Sequence, residues 1–425
     1  MSVGPDAPAS SNAPASSNAP LSAYQKKLFV FLSVATFFEG YDFFALTQIL
    51  PELSRELGLS KSEGGALVSF INVGTVVAYL LVRRADHWGR KRVLTLTIAG
   101  YTLLTFLTGF SPNIATFAVL QLAARMFLIA EWAVSMVYAA EEFPAARRGM
   151  VIGVIQAFAS LGSIVCAGVV PFLIKTPYGW RSVYFVGIVP LVILGFARRG
   201  LRESSRFAAD VGERGELRSF THILGTPHRR RVLELAAIWG LTYVCTQTAI
   251  TFWKFFATED RGLSEGEVGL AITIAALISM PLVFYSGRLL DVLGRKRGAL
   301  VIYALTVLGV VGSYTFSGFW PLTLSLIFGI FGVSGVLPVL NAFTAELFPT
   351  SLRGDAFAWA NNLLGRVGYV VAPAIVATAA DSFGWAASVR LSTLGPVLAL
   401  LLIFVLLPET RGRELGGPQS AGKPD

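Results

Sequence analysis

The 425-residue chain is 54% hydrophobic and only 14% charged, well below the roughly 25% charged residues of soluble domains. It has 2 cysteines and 3 histidines, without metal-ligand or CxxC spacing. This composition excludes a disulfide scaffold, a disordered chain and an ordinary cytosolic enzyme, and with a mean hydropathy of +0.63 it predicts a membrane protein.

Residues 1–20 carry a duplicated PASSNAP heptad and predict a disordered tail. From Lys26 onward, apolar runs alternate with short polar breaks, and each run approaches the roughly 20 residues that cross a bilayer. These runs predict twelve transmembrane helices over 27–50, 62–82, 93–111, 114–138, 149–173, 183–201, 232–256, 267–288, 299–316, 319–344, 355–379 and 386–407. The predicted organisation is a tail (1–25), a six-helix bundle (26–201), a basic linker (202–231), a second six-helix bundle (232–415) and a C-terminal tail (416–425).

The placement of basic residues predicts the orientation in the membrane. If the N-terminus is cytoplasmic, 26 of the 35 Lys and Arg residues fall on the cytoplasmic side and only 7 on the outside. Cytoplasmic loops are enriched in Lys and Arg, so we expect both termini in the cytoplasm. The same bias accounts for the net charge of +9 without a nucleic-acid partner.

Two motifs recur at one common offset along the chain. The DxxGRK sequence at Asp86 returns at Asp291, and the ExxP sequence at Glu141 returns at Glu346, each 205 residues later. Shared offsets in independent motifs indicate a duplicated six-helix unit, the parallel-repeat design of transporters whose site lies between the halves.

These motifs, together with Pro408-Glu409-Thr410-Arg411-Gly412-Arg413 after the last span, resemble the major facilitator superfamily. The resemblance covers nearly all of 25–415. It implies an all-α membrane protein, with twelve transmembrane helices as two pseudo-symmetric six-helix bundles. The sequence Glu39-Gly40-Tyr41-Asp42, with Arg125, is similar to metabolite:proton and aromatic acid:proton symporters, whereas the C-terminal signature is shared with sugar porters.

Ionisable groups at membrane depth are costly, so each is a functional candidate. Glu39 and Asp42 lie three residues apart on one helix face. Carboxylates this close repel each other, so at least one is expected to take up a proton near neutral pH. Arg125 and Glu131 in the fourth span are candidate partners, and the alternative is that the acids only pair with an arginine or line a water-filled vestibule. The predicted proton-coupling residues are therefore Asp42, Glu39, Arg125 and Glu131.

Polar side chains at helical spacing in other spans predict the substrate site, because a buried arginine can bind a carboxylate and amides suit hydroxyl groups. Interhelical hydrogen bonding is the alternative role for the same residues. The predicted substrate-binding residues are Gln121, Gln156, Tyr243, Gln247, Asn341, Asn362, Arg366 and Tyr369.

The loop motifs supply matched acids and bases at the cytoplasmic ends of both halves. The resemblance implies that their ion pairs close the inner gate in the outward-facing state and separate when it opens; a role in topology and loop turns alone is the alternative. The predicted gate residues are Asp86, Gly89, Arg90, Glu142, Arg148, Asp291, Gly294, Arg295, Glu346 and Arg353.

The sequence thus predicts a secondary transporter in a bacterial inner membrane, running alternating access and importing a small organic acid or related metabolite with protons. A sugar or polyol porter is the main alternative, and a drug exporter or transporter-like sensor is less favoured. We find no catalytic motif and expect no enzyme activity, no metal and no cofactor beyond the proton gradient. The expected partners are the substrate, protons and the lipid bilayer, and the superfamily leads us to expect a monomer.

Overall fold

The computed structural model describes residues 21–189, 202–203, 221–349 and 352–411; within the helices, the side chains of 83–87, 145, 146 and 148 are outside this description. The predicted tails and most of the basic linker, with the end of the sixth predicted span (190–201), lie outside the described residues. The described chain is helical, without strands in the described ranges.

The first half contains six helices. Their bounds are α1 Ala23–Leu57, α2 Lys61–Trp88, α3 Arg90–Thr108, α4 Ile114–Glu142, α5 Ala145–Leu173 and the start of α6, Arg181–Phe185. Ser22 begins α1 with a capping box that includes Gln25. The α2–α3 turn is set by Gly89, whose φ of 92° lies in the region that favours glycine.

The second half repeats the pattern. It comprises α7 Arg229–Thr251, α8 Glu265–Leu293, α9 Arg295–Ser313, α10 Phe319–Glu346, α11 Arg366–Ser392 and α12 Leu394–Leu406. A short helix Trp253–Phe255 and a π-helical turn Phe256–Asp260 continue α7 after a bend of 41°. Arg353–Phe357 and the π-helical segment Ala358–Gly365 lead into α11.

Within the described ranges, eight helices are long and apolar enough to cross a membrane, or nine if the bent α7 pair is one span. The last of these, Arg353–Leu406, contains two crossings, because Gly384 (φ 76°) interrupts α11, and the second crossing comprises the end of α11 after Gly384 together with α12. Together with α3, these helices match eleven of the twelve predicted spans, and the described start of α6 overlaps the beginning of the sixth.

Contacts between chain ends define two faces of the molecule. Arg90 with Glu141, and Arg295 with Glu346, mark the end that we call the basic face. The ion pair of Arg181 with Glu56 marks the opposite face. α1 packs on α5 within the first half and α7 on α11 within the second, and the halves meet through α2–α11 and α5–α8.

Candidate functional site

The apolar core shows which face is closed. At the opposite face, one cluster of buried side chains joins both halves, running from Ile49 and Leu67 to Phe252, Val376 and Trp385. Toward the basic face the core divides into two clusters, one made mostly by each half. The halves are therefore sealed together at the opposite face and separated at the basic face.

A cavity of about 700 Å³ occupies the gap at the basic face. Its wall includes Tyr79 and Arg90 from the first half, and Asn341, Arg353 and Asn362 from the second. Two of the predicted substrate residues, Asn341 and Asn362, thus lie on one cavity. Its volume falls within the range of small-molecule sites.

Lys254 forms a contact between the two halves at the opposite face, which we call the latch. Its side chain is 1% exposed, and its Nζ donates to the Gln48 carbonyl of α1 at 2.6 Å and lies 2.6 Å from Glu265 Oε2. The lysine therefore joins the second half to the first through a charge-assisted hydrogen bond.

Between the sealed and open ends, α1 and α4 place three buried acids together. Asp42 accepts a hydrogen bond from the Thr105 hydroxyl at 3.1 Å. The carboxyl groups of Glu39 and Glu131 lie within hydrogen-bonding reach of each other, and Ser135 donates to Glu131 Oε1 at 2.5 Å. The structure thus brings together all three acids that the sequence singled out, although their roles remain predictions.

Each half contributes one arginine to the same region. The Arg125 guanidinium lies 4.5 Å from the centre of the Phe43 ring, and Arg366 lies 5.3 and 5.0 Å from the rings of Tyr243 and Tyr369. Neither arginine forms an ion pair within the described part of the chain, and Arg366 Nε is enclosed without a hydrogen-bond partner. The two guanidinium groups are near enough to repel each other. The centre of the molecule therefore presents cationic groups whose N–H edges are available to an anion.

The π-helical segment changes which asparagine meets Tyr243. Helical spacing alone placed Asn362 on the stripe of Arg366 and Tyr369, but Asn361 Oδ1 accepts the hydrogen bond from the Tyr243 hydroxyl at 2.8 Å. Asn362 instead lines the cavity. A π-helix has a wider turn than an α-helix, so side-chain faces shift through it.

The remaining predicted substrate residues do not all face this centre. Gln121 is buried and donates to the Thr108 hydroxyl at 3.1 Å, toward the opposite face. Gln247 donates to the Thr251 hydroxyl at 3.3 Å. Gln156 is exposed, and its amide lies 3.7 Å from Met136 Sδ.

The predicted gate residues form equivalent ion pairs in the two halves. Arg295 pairs with Glu346 at 2.7 Å and with Asp291 at 2.9 Å, while Arg90 pairs with Glu141 at 3.1 Å. In the first half, Glu141, which lies 205 residues before Glu346, makes the equivalent pair, while the carbonyl of the predicted gate residue Glu142 accepts from the Gln25 amide. These pairs lie within one half, so they persist while the basic face is open.

The remaining predicted gate residues form no ion pair that the structure describes. Arg353 donates Nε to the Phe348 carbonyl at 3.2 Å and lines the cavity. The side chains of Asp86 and Arg148 lie outside the described residues.

Two carboxylates outside the predicted site residues hold the turns at Gly89 and Gly294. Glu203 accepts from the Lys91 amide at 3.0 Å, and Glu409 accepts from the Arg295 and Lys296 amides at 2.8 and 2.9 Å. A Cβ on Gly89 or Gly294 would meet the Glu203 or Glu409 carboxylate at 2.5 or 3.1 Å, so glycine allows this close approach.

Electrostatics at the basic face favour the charged forms. Hydrogen bonding to Glu346, supported by Asp291, raises the pKa of Arg295 above its usual range. Partial burial alone would raise the pKa of Glu409, but hydrogen bonds from the backbone amides of Lys296, Arg295, Arg411 and Thr410 outweigh it and hold that pKa below its usual range. Both groups therefore stay ionised at neutral pH.

Three contacts were not among the predicted site residues. They are the Gln48 carbonyl that accepts from Lys254, the Asn361 side chain and the Glu141 carboxylate. The 205-residue offset from Glu346 was a sequence signal for Glu141, whereas the Gln48 carbonyl had none. The π-helical shift that selects Asn361 had no sequence signal.

The family description "Major Facilitator Superfamily" matches residues 32–368 and 235–424. A probable 4-methylmuconolactone transporter of Cupriavidus pinatubonensis is 28% identical over 92% of this chain and 92% of its own length. The sialic acid transporter NanX of Escherichia coli is 25% identical over 87% and 90%. The crystal structure of a D-xylose-proton symporter has the same fold, with a TM-score of 0.72 at 20% identity over 92% of this chain and all of that one.

The fold and the matched motifs define an integral membrane transporter. The chain belongs to the major facilitator superfamily, as its motifs predicted. Its relatives carry small molecules across membranes rather than transform them.

Proposed function

We propose that the protein takes up a small organic anion together with a proton, and that Asp42 carries the coupling proton. The observation that carries the proposal is the pair of arginines, one from each half, that approach each other at the centre without a direct ion pair in the described chain. A buried cation is costly unless it is paired, so an anionic substrate that bridges the halves would stabilise both.

Asp42 supplies the coupling in this scheme. It is 7% exposed, and its described hydrogen-bond partner is a neutral hydroxyl. The negative charge of an ionised Asp42 weakens the electrostatic attraction between Arg125 and the substrate anion, whereas a protonated Asp42 does not. One unit charge some 6 Å away is worth on the order of 3 kcal/mol at an effective dielectric constant of 20. Protonation of Asp42 should therefore raise anion affinity by about a hundredfold.

The proposed transport cycle follows from the two faces. The present state is sealed by Lys254 and the shared core, and open at the basic face, which we assign to the cytoplasm because the basic loops lie there. Release of substrate and proton into the cytoplasm returns the empty carrier to the outward-facing state. We further propose a bacterial inner membrane, both termini cytoplasmic, a monomer, and the bundles 26–201 and 232–415 as the moving halves.

A liposome assay tests the proposal. Purified protein is reconstituted with a trapped pH dye and exposed in turn to lactate, gallate, sialic acid, D-xylose and mannitol. We expect one of the acids to acidify the lumen of wild-type vesicles. Asp42→Asn, which can keep the hydrogen bond to Thr105, should lose acidification but retain exchange of labelled substrate.

Two controls complete the test. Protein-free vesicles correct for weak acids that permeate unaided, and Asp381→Asn removes an exposed acid of the same type. Transport of D-xylose or mannitol, with no acid moved, would replace the proposal with the sugar porter. Acid uptake without proton flux, unchanged in Asp42→Asn, would leave a uniporter.

A further inference from the structure

The Glu39 and Glu131 carboxyl groups form a pair that proton coupling through Asp42 does not use. Glu39 is 7% and Glu131 0% exposed, and the two groups are hydrogen-bonding neighbours. The Oε2 atom of each is enclosed and has no hydrogen-bond partner in the described structure. Ser135 satisfies only Glu131 Oε1.

Two ionised carboxylates cannot form this hydrogen bond, since both are acceptors only. A single proton between them supplies the donor and satisfies both enclosed atoms. We propose that Glu39 and Glu131 share one resident proton throughout the transport cycle, and that the pair contributes one fixed negative charge to the centre. Asp42 then carries the only translocated proton.

Enclosure separates this proton from the transport path. Val134, one turn after Glu131, lines the cavity wall, but Glu131 itself does not. Leu128 and Val134 flank Glu131 within an apolar cluster in the first half. The charged and titratable groups that act on the pair are Arg125 of α4 and Tyr101 of α3, and Asp42 of α1 acts on the same tyrosine.

The charges at the centre then fix the stoichiometry. The fixed charge of the pair offsets one arginine, and ionised Asp42 offsets the other, so the empty deprotonated site is neutral. Protonation of Asp42 leaves one positive charge, which one monoanion neutralises. Because a low-dielectric site favours neutrality, the expected ratio is one proton per monoanion; this ratio rests on the proposed symport.

Two measurements test the pair independently. Infrared spectra of the purified protein at neutral pH should show a protonated-carboxyl band that is lost in Glu131→Gln and in Glu39→Gln. Glu259→Gln, an exposed match, should keep it. The absence of a band sensitive to either substitution would overturn the resident proton, and this readout needs no transport.

The second measurement is the proton-to-substrate ratio, obtained from the pH gradient at which net flux of the labelled acid reverses while the membrane potential is clamped; the acid is the one that wild type transports in the liposome panel. In Glu131→Gln the glutamine amide donates to an ionised Glu39, so the pair keeps its hydrogen bond and its single negative charge. The proton-to-substrate ratio should therefore be unchanged. The double variant Glu39→Gln/Glu131→Gln removes the fixed charge, and its half-saturating concentration at alkaline pH should fall by about tenfold.

A lower ratio in Glu131→Gln would show that the pair translocates its proton, and would overturn the inference while leaving symport intact. Wild type without proton flux would instead refute the proposed function, with the infrared result still deciding the resident proton. Size-exclusion profiles of each variant identify folding failures, and Glu39→Gln provides the second route if Glu131→Gln does not fold.

Discussion

Replacement of Arg366 by glutamine should weaken substrate binding more than it weakens the fold. The guanidinium lies near the rings of Tyr243 and Tyr369 and has an enclosed Nε without a hydrogen-bond partner. A hydrogen bond to a charged group contributes about 1.5–3 kcal/mol. Because Arg366 is half-buried, we take the lower half of that range, which corresponds to a loss of affinity of about 10–40-fold.

The assay is labelled-substrate counterflow in liposomes, with half-saturation as the readout. Arg366→Lys should fall between wild type and Arg366→Gln, since lysine keeps the charge but not the planar fork that binds a carboxylate at two points. Arg230→Gln, whose arginine side chain is 84% exposed, is the matched control and should leave half-saturation unchanged. Equal half-saturation in wild type and Arg366→Gln would refute the assignment of the arginine to the substrate.

Three further changes test other parts of the structure. Lys254→Met removes the link to the Gln48 carbonyl, so a thiol reagent should label cysteines introduced at the opposite face several-fold faster; unchanged labelling would contradict the latch. Gly162→Ala would place a Cβ 1.8 Å from the Phe37 carbonyl and should lower the melting temperature by several degrees, whereas Gly153→Ala, with open space around it, should not. Because backbone hydrogen bonds lower the pKa of Glu409 in the folded protein, its stabilising contribution should be present at neutral pH and lost only below about pH 4. Glu409→Gln should therefore lower the melting temperature at pH 7 and narrow its difference from wild type as the pH falls; a difference independent of pH would contradict this origin.

Much of the fold could be predicted because bilayer crossing leaves strong local signals. Apolar runs near 20 residues, and motif pairs such as Asp86 with Asp291, repeat at a fixed offset whatever the tertiary contacts are. The break between the last two predicted spans, 355–379 and 386–407, was predictable for the same reason, and Gly384 lies in it.

The site was less accessible to sequence reasoning, because it depends on which helices meet. Glu39, Asp42 and Arg125 were identifiable from the cost of charge at membrane depth. Their contacts were not: Asp42 meets Thr105 of another helix, and Glu39 meets Glu131 rather than Asp42. Ideal helical spacing does not predict the π-helical segment before α11 or the hydrogen bond from Lys254 to the Gln48 carbonyl, since both arise from tertiary packing.

Coupling between an organic anion and a proton is the central claim, and reversed flux tests it most directly. Vesicles loaded with the transported acid, with equal pH on both sides and the membrane potential clamped, are diluted into substrate-free buffer. The account predicts that the lumen becomes more alkaline as labelled substrate leaves, and that Asp42→Asn abolishes this change. Substrate efflux from wild-type vesicles at constant internal pH would contradict it.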